Sequence, residues 1–370
     1  MKYDNARVPK VVTLTIIFTF ALLAVGLNGY SQSVDSLVKD LSKKDYHVRK
    51  RAKTSLANIG KPAVEALILA MKDASPGVKK EAAWILGRIG DPRAVDSLIS
   101  VLSAEKAYVR AEATWALGSI KDTRATVALL EAINDRDPHV RSNAVKALGK
   151  IGDSRAVEPL IGIVRGADKF TRLDAVNALG EIRDPRAVEP LLTFIATYND
   201  REPYIRHAKH ALEKIGKPAV EPLLKELEGK NKYARSGAAS VLGEIGDSRA
   251  VEPLLSVLND EDSDVRKICA RSLEKLLDDR ISEIFLTALK NEDLEIVAGG
   301  HAFFIRKGQP GSEEVLIEAL HACGDRRMAT DFLNSGNSQQ EEAARKWAKN
   351  QGYVISPDIG PGGSGPQWGD

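Results

Sequence analysis

Between Asp135 and Gly152 the sequence DRDPHVRSNAVKALGKIG spaces its apolar residues, Val140, Ala144, Ala147, Leu148 and Ile151, among polar ones. Counted from Val140 as zero these are offsets 0, 4, 7, 8 and 11, which at helical pitch fall within about 100° of arc. The pattern predicts a helix that buries one broad stripe. A small residue at offset 4 predicts that neighbouring helices approach closely there.

The same register returns along the chain. Equivalents of Val140 stand at Val48, Val78, Val109, Thr171, Tyr204, Ala234, Val265 and Ile296, in steps of 30, 31, 31, 31, 33, 30, 31 and 31 residues. A second phrase is interleaved with it, as in DPRAVDSLI from Asp91, DTRATVALL from Asp122, DSRAVEPLI from Asp153, DPRAVEPLL from Asp184 and DSRAVEPLL from Asp247. Repetition at this period predicts stacked helix pairs. Nine pairs are expected, at roughly 33–60, 63–90, 93–121, 124–152, 155–183, 186–216, 219–246, 249–277 and 280–308.

Gly60, Gly90, Gly152, Gly216 and Gly246 predict left-handed ends for the second helices. Lys121 and Arg183 hold that position in the third and fifth pairs, so those ends are expected to be satisfied differently. The Asp that follows is placed to cap the next helix, and Pro92 and Pro185 follow it where a missing N–H is harmless. Pro159, Pro190, Pro222 and Pro253 fall in or just past an opening turn and should bend it rather than end it. A basic column follows offset zero, at Arg49, Lys79, Arg110, Arg141, Arg172, Arg235 and Arg266. It reads as an internal ladder, with Asp135 and Asp260, six residues before a base, as acceptors, and a basic binding groove is its alternative. Beyond Gly308 the register decays, and Ser338 with Glu341 predicts a capping box for a last helix bearing Ala344, Trp347 and Ala348.

The N-terminus adds a different kind of segment. Lys2, Arg7 and Lys10 precede an uncharged, mostly apolar run of seventeen residues, Val11 to Leu27. That order fits a cleaved export signal, an uncleaved membrane anchor, or an internal hydrophobic helix, and its length leaves all three open. An exported chain is expected in the periplasm or another extracytoplasmic compartment, with or without anchoring in the inner membrane. Tyr30 stands where a lipoprotein signal would need cysteine. The expected boundaries are 1–29 for this segment, 30–308 for the repeats, 309–353 for C-terminal capping helices and 354–370 for a disordered Gly/Pro-rich tail.

Charge changes the picture only slightly. Lys and Arg total 53 against 51 acids, a balance with no global field to draw in nucleic acid. Aromatics are 5%, which suits thin layers filled by Ala, Leu, Ile and Val. Of two cysteines, Cys269 takes a position that is Ala in most pairs and reads as a buried filler; pairing with Cys323 and thiol reactivity are its alternatives.

The DxRAVEPLL and VRxxAxxALGxIG phrases resemble HEAT repeats of the short bacterial type also called PBS-lyase HEAT-like, over about 33–308. The resemblance implies an all-α fold, a right-handed α-α superhelical solenoid of about nine pairs with an irregular C-terminal cap. It also implies second helices along an inner surface. Members mostly act as protein-binding scaffolds, which implies a protein partner, while some serve chromophore lyases or metal-dependent hydroxylases. The hydroxylases resembling this fold bind iron through repeated His-Glu pairs, and none of the six histidines here precedes Glu. No Gly-rich phosphate loop, CxxC, GxSxG or HExxH occurs. A non-catalytic scaffold without cofactor is therefore the expected function, with an enzyme or enzyme-accessory subunit as the alternative.

On the inner surface, offsets −1, 2, 3 and 6 are expected to face away from the buried stripe. Trp84 and Trp115 share offset 6 in adjacent pairs, so stacking should bring them to roughly 10 Å. Three readings stay open for them: a contact surface with Tyr108 and Phe170, packing inside the solenoid, and carbohydrate stacking. Lys146 shares their offset, and Tyr233 extends the aromatic set. His207 and His210, one turn apart, are weak metal candidates, with no carboxylate or thiol placed nearby by the sequence.

Overall fold

The computed structural model describes residues 34–73, 75–166, 168–198, 202–276, 280–309, 311–355 and 368–369. The expected export segment at 1–29 lies outside the described residues, as do 199–201 in the lengthened loop. None of the described helices is long and apolar enough to cross a membrane.

The described chain is almost wholly helical and follows the expected pairing. It opens with α1 over 34–40 and α2, Tyr46–Ile59. Then come α3 Val64–Asp73, α4 Pro76–Ile89, α5 Val95–Ser100, α6 Ala107–Ile120, α7 Thr126–Ala132 and α8 Pro138–Ile151. The series continues with α9 Val157–Arg165, α10 Lys169–Ile182, α11 Val188–Thr197, α12 Glu202–Ile215, α13 Val220–Glu226 and α14 Lys232–Ile245. α15 Val251–Ser256, α16 Ser263–Leu276 and α17 Arg280–Lys290 follow. The ninth second helix is in two pieces, α18 Leu294–Gly299 and α19 His301–Lys307. They part at Gly300, where a Cβ would lie 2.7 Å from the Phe285 ring. Odd-numbered helices up to α17 are the first of each pair, even-numbered ones the second.

Two compact units result, one formed by Met1–Ile163 with Asp168–Ala178, the other by Val164–Ala167 with Leu179–Asp370. In both, offset 4 is small and buried, as in Ala82, Ala113 and Ala144 in the first and Ala208, Ala238 and Cys269 in the second. The closest approach lies elsewhere. A Cβ built on Gly87, Gly118 or Gly149, all at offset 9, would stand 2.7 Å from the Cα of Ala116, Ala147 or Ala178, at offset 7 of the next pair. In the second unit Gly180 meets Ala211 and Gly243 meets Ser272 in the same way. Backbone therefore touches backbone at offset 9, and the buried stripe widens to offsets 5 and 9, while Ile89, Ile120 and Ile151 at offset 11 are only half-buried.

The aspartates cap as expected. Asp91, Asp122, Asp153, Asp184 and Asp247 each accept from the backbone N–H two residues on, opening a short 3₁₀ turn before the first helix. The arginine of each phrase folds back on the same carboxylate, and those at 93, 124, 155 and 249 also reach the preceding pair. In the first unit Arg93 donates to Glu65 and the Lys61 carbonyl, Arg124 to the Pro92 carbonyl and Arg155 to the Thr123 carbonyl. In the second unit Arg249 pairs with Glu221 at 2.5 Å.

Three expectations need correction. Lys121 and Arg183 do not end their helices differently: both adopt left-handed backbone, at φ 62° and 61°, and their N–H groups bond the Leu117 and Leu179 carbonyls as the glycines' do. The carboxylates of the arginine ladder come from the following loop rather than the preceding one. Asp135 accepts twice from Arg110, at 2.7 Å each, and Asp260 twice from Arg235, at 2.8 and 2.9 Å. Arg141 and Arg266 take only the backbone carbonyls of those aspartates, because a carboxylate six residues earlier already points into the pair before. Finally, Asn337 rather than Ser338 caps the last helix, α22.

That helix, Ser338–Asn350, packs with α20 (Glu313–Cys323) and α21 (Arg326–Leu333) beyond the ninth pair. It buries Ala344, Trp347 and Ala348. Within the stretch expected to be a tail, Val354–Ile355 pairs antiparallel with Trp368–Gly369. The residues between lie outside the described ones.

Candidate functional site

In the first unit the second helices α2, α4, α6, α8 and the start of α10 follow one another with their offset-6 side chains in a row. Neighbouring helices are held so close by the Gly–Ala contacts that this row is not simply turned to solvent. Trp84 and Trp115 are half-buried, and their rings stack at 6.4 Å between centroids with 10° between planes. Gly87 makes this possible, since a Cβ there would come within 2.8 Å of the Trp115 ring. Trp84 also meets two cations: the Lys53 ammonium lies 3.9 Å from its centroid and 2.7 Å from the Glu81 carboxylate, and the Arg88 guanidinium lies 5.7 Å from the centroid. Beside this stack, burial pushes the Glu112 carboxyl above its ordinary range against the pull of Lys53 and Lys80.

The positions just before the register residue are the open ones. Tyr108 is 47% exposed and Phe170 53%, and in the second unit Tyr233 is 41% exposed. His139 meets Phe170 edge-on at 5.8 Å. Lys146 is exposed and tethered, donating to the Ser142 hydroxyl at 2.9 Å and lying 3.3 Å from Asp174. Offset 2 is less open than its angle suggests, because Ser142 is buried and donates to Asp174 at 2.6 Å.

Lys53 and Tyr46 join this surface without having been singled out from sequence. Their signal was available: the first pair obeys the register, so its helix α2 lies one step before Trp84. What was missing was the lateral offset between helices, which sets Lys53, at offset 5, against a residue at offset 6.

His210 lies 3.2 Å from Glu213, one turn on, a carboxylate the sequence reading had not placed there. Among the described residues no three His, Cys, Asp or Glu side chains gather in a way that could hold a metal ion. Cys269 and Cys323 are unpaired thiols, and burial pushes Cys269 up to about 12. His301, wholly buried in the second unit, is held between the Ala298 carbonyl and Asp331, each at 2.8 Å.

The family described as HEAT repeats matches residues 34–107, 64–135, 95–175, 126–213 and 220–300. The chain belongs to that family. No curated protein matches it. Among solved structures it is similar to the karyopherin Kap121p bound to the extreme C-terminus of the protein phosphatase Cdc14p, at 12% identity and a TM-score of 0.55. That likeness covers 93% of this chain and 44% of the other. It is also similar to a chain of the Kap95p–RanGDP structure, at 13% identity and TM-score 0.53, covering 88% and 53%. A third likeness is to the CpcE–CpcF phycocyanin lyase complex of Nostoc sp. PCC7120, at 22% identity and TM-score 0.35, covering 67% and 90%. At these identities the karyopherin likenesses show the helical-repeat fold, and the lyase likeness is too loose to carry an enzymatic assignment.

Proposed function

We propose that this HEAT-repeat chain is a non-catalytic scaffold that grips a protein partner along the faces of its second helices. The observation that carries this reading is the repeated exposure of large aromatics at one register position, Tyr108, Phe170 and Tyr233. Exposed aromatics beside tethered charge are the composition of binding hot spots. The karyopherin solenoids of similar fold are solved with protein partners, which supports the same use of this one. The short repeat step supports placing the chain with the PBS-lyase HEAT-like subtype. The basic-then-apolar order of residues 1–27 supports placing the partner outside the cytoplasm, and N-terminal sequencing of the mature chain tests that part.

The test is photo-crosslinking in the native host from positions 108 and 170, with positions 69 and 127 on first helices as controls, since Leu69 and Val127 are more exposed still. One partner should be captured from the first two positions and not from the controls. Its recovery should fall in Tyr108→Ser/Phe170→Ser while the melting temperature holds. Capture of that partner equally from all four positions, or undiminished recovery by the double variant, sinks the inner-face assignment.

A further inference from the structure

Two adjoining clefts open at the N-terminal end of the first unit. One, of about 290 Å³, runs between α2 and α4 and is walled by Tyr46, Lys50, Lys53 and Trp84. The other, of about 480 Å³, continues past the loop before α2 to Lys43, Lys44, Lys80 and Tyr108. Arg49 and Glu81 line both, so the two form one groove.

Its charge is far from that of the chain. Its lining holds six bases and one carboxylate, Glu81, with Glu112 close enough to feel Lys53 and Lys80, in a protein whose totals are 53 and 51. Two of the six serve the fold: Arg49 donates to the Lys43 and Lys44 carbonyls, and Lys53 pairs with Glu81. Lys43, Lys44, Lys50 and Lys80 make no ion pair among the described residues. Apolar contact is available between them, with Tyr46 60% and Tyr108 47% exposed. Lys43, Lys44 and Lys50, left without carboxylates, and Lys80, only partly offset by Glu112, lie along a concave, tyrosine-lined path complementary to alternating acidic and apolar side chains.

Resting on the scaffold reading, we infer that this groove takes an extended acidic segment of the protein partner, with its carboxylates on the four lysines and its apolar side chains against Tyr46 and Tyr108. An anionic membrane is a poorer fit. A flat surface does not enter the clefts, and Glu81 inside them would face it.

The experiment immobilises the full chain and passes over it a peptide of alternating glutamate and leucine, its glutamine counterpart, vesicles containing phosphatidylglycerol, and oligothymidylate. The glutamate peptide should bind, weaken steeply with added salt, and lose about tenfold in affinity in Lys50→Glu/Lys80→Glu. Should that variant melt early, Lys43→Glu/Lys44→Glu, both on an exposed loop, is expected to give a similar loss. Equal binding of the glutamine peptide overturns the assignment. So does unchanged affinity in both variants, or a charge-reversal effect seen only with vesicles or oligothymidylate. Failure of the peptide alongside a partner still lost in Tyr108→Ser/Phe170→Ser removes the acidic segment and leaves the scaffold standing.

Discussion

Gly118 and Ala147 touch backbone to backbone: a Cβ on the glycine would lie 2.7 Å from both the Cα and the Cβ of the alanine. The glycine sits inside a helix, where it costs about 1 kcal/mol relative to alanine, so the contact must return more than that. Gly118→Leu is expected to destabilise the protein by roughly 3 kcal/mol or more, since neither helix can retreat without opening the layers beside it. Gly77, also helical but with nothing within 4 Å of a Cβ, is the control; Gly77→Ala should leave stability unchanged or raise it by about 0.5 kcal/mol. Urea unfolding measures both.

Lys121 occupies at φ 62° a place that Gly90 and Gly152 occupy at 74° and 78°. A side chain in left-handed backbone carries a cost of about 1 kcal/mol that glycine avoids. Lys121→Gly should therefore stabilise by up to about 1 kcal/mol, and Gly90→Ala should destabilise by a similar amount. Thermal melting of the two variants gives shifts of opposite sign.

Arg110 and Asp135 form a pair whose side chains are 5% and 13% exposed, and Arg110 also donates to the Ala104 and Glu105 carbonyls. Asp135→Ala leaves a buried guanidinium half-satisfied and should cost about 2–4 kcal/mol, whereas Arg110→Met/Asp135→Leu should cost distinctly less. A double-mutant cycle in urea separates the two. The exposed pair Lys106–Glu105 should be worth nothing measurable.

The capping aspartates set the acid limit. The Arg93 guanidinium and then its backbone N–H hold Asp91 down to about 2, Asp247 is held to about 2 by Arg249, and Asp153 is lowered in the same sense by Arg155. A carboxyl whose folded value lies below its unfolded one stabilises fully above the unfolded value, near 3.8, and loses that contribution as pH falls through the folded one. The melting temperature should thus fall between about pH 4 and pH 2. Asp91→Asn/Asp247→Asn should start lower at neutral pH and fall less over that window. An identical profile for the variant would remove these residues as the cause.

How much of this was legible beforehand divides along a physical line. The number of pairs, their register, the aspartate caps and the buried alanines at offset 4 could all be read from the chain. Each depends on residues within a turn or two, and the repetition confirmed every reading several times over. The exposed aromatics Tyr108, Phe170 and Tyr233 were legible for the same reason, since the position before offset zero lies in the first turn of its helix, away from the buried stripe.

Contacts between residues some thirty apart were decided only by stacking. The lateral shift of one second helix against the next puts Gly118 on Ala147, hands Asp135 to Arg110 instead of Arg141, and clamps Trp84 between Lys53 and Trp115. A helical wheel fixes the angle at which a side chain leaves its own helix. It does not contain the slide along the axis that selects the partner, because that slide is set by how closely two backbones can approach, and here glycine at offset 9 sets it.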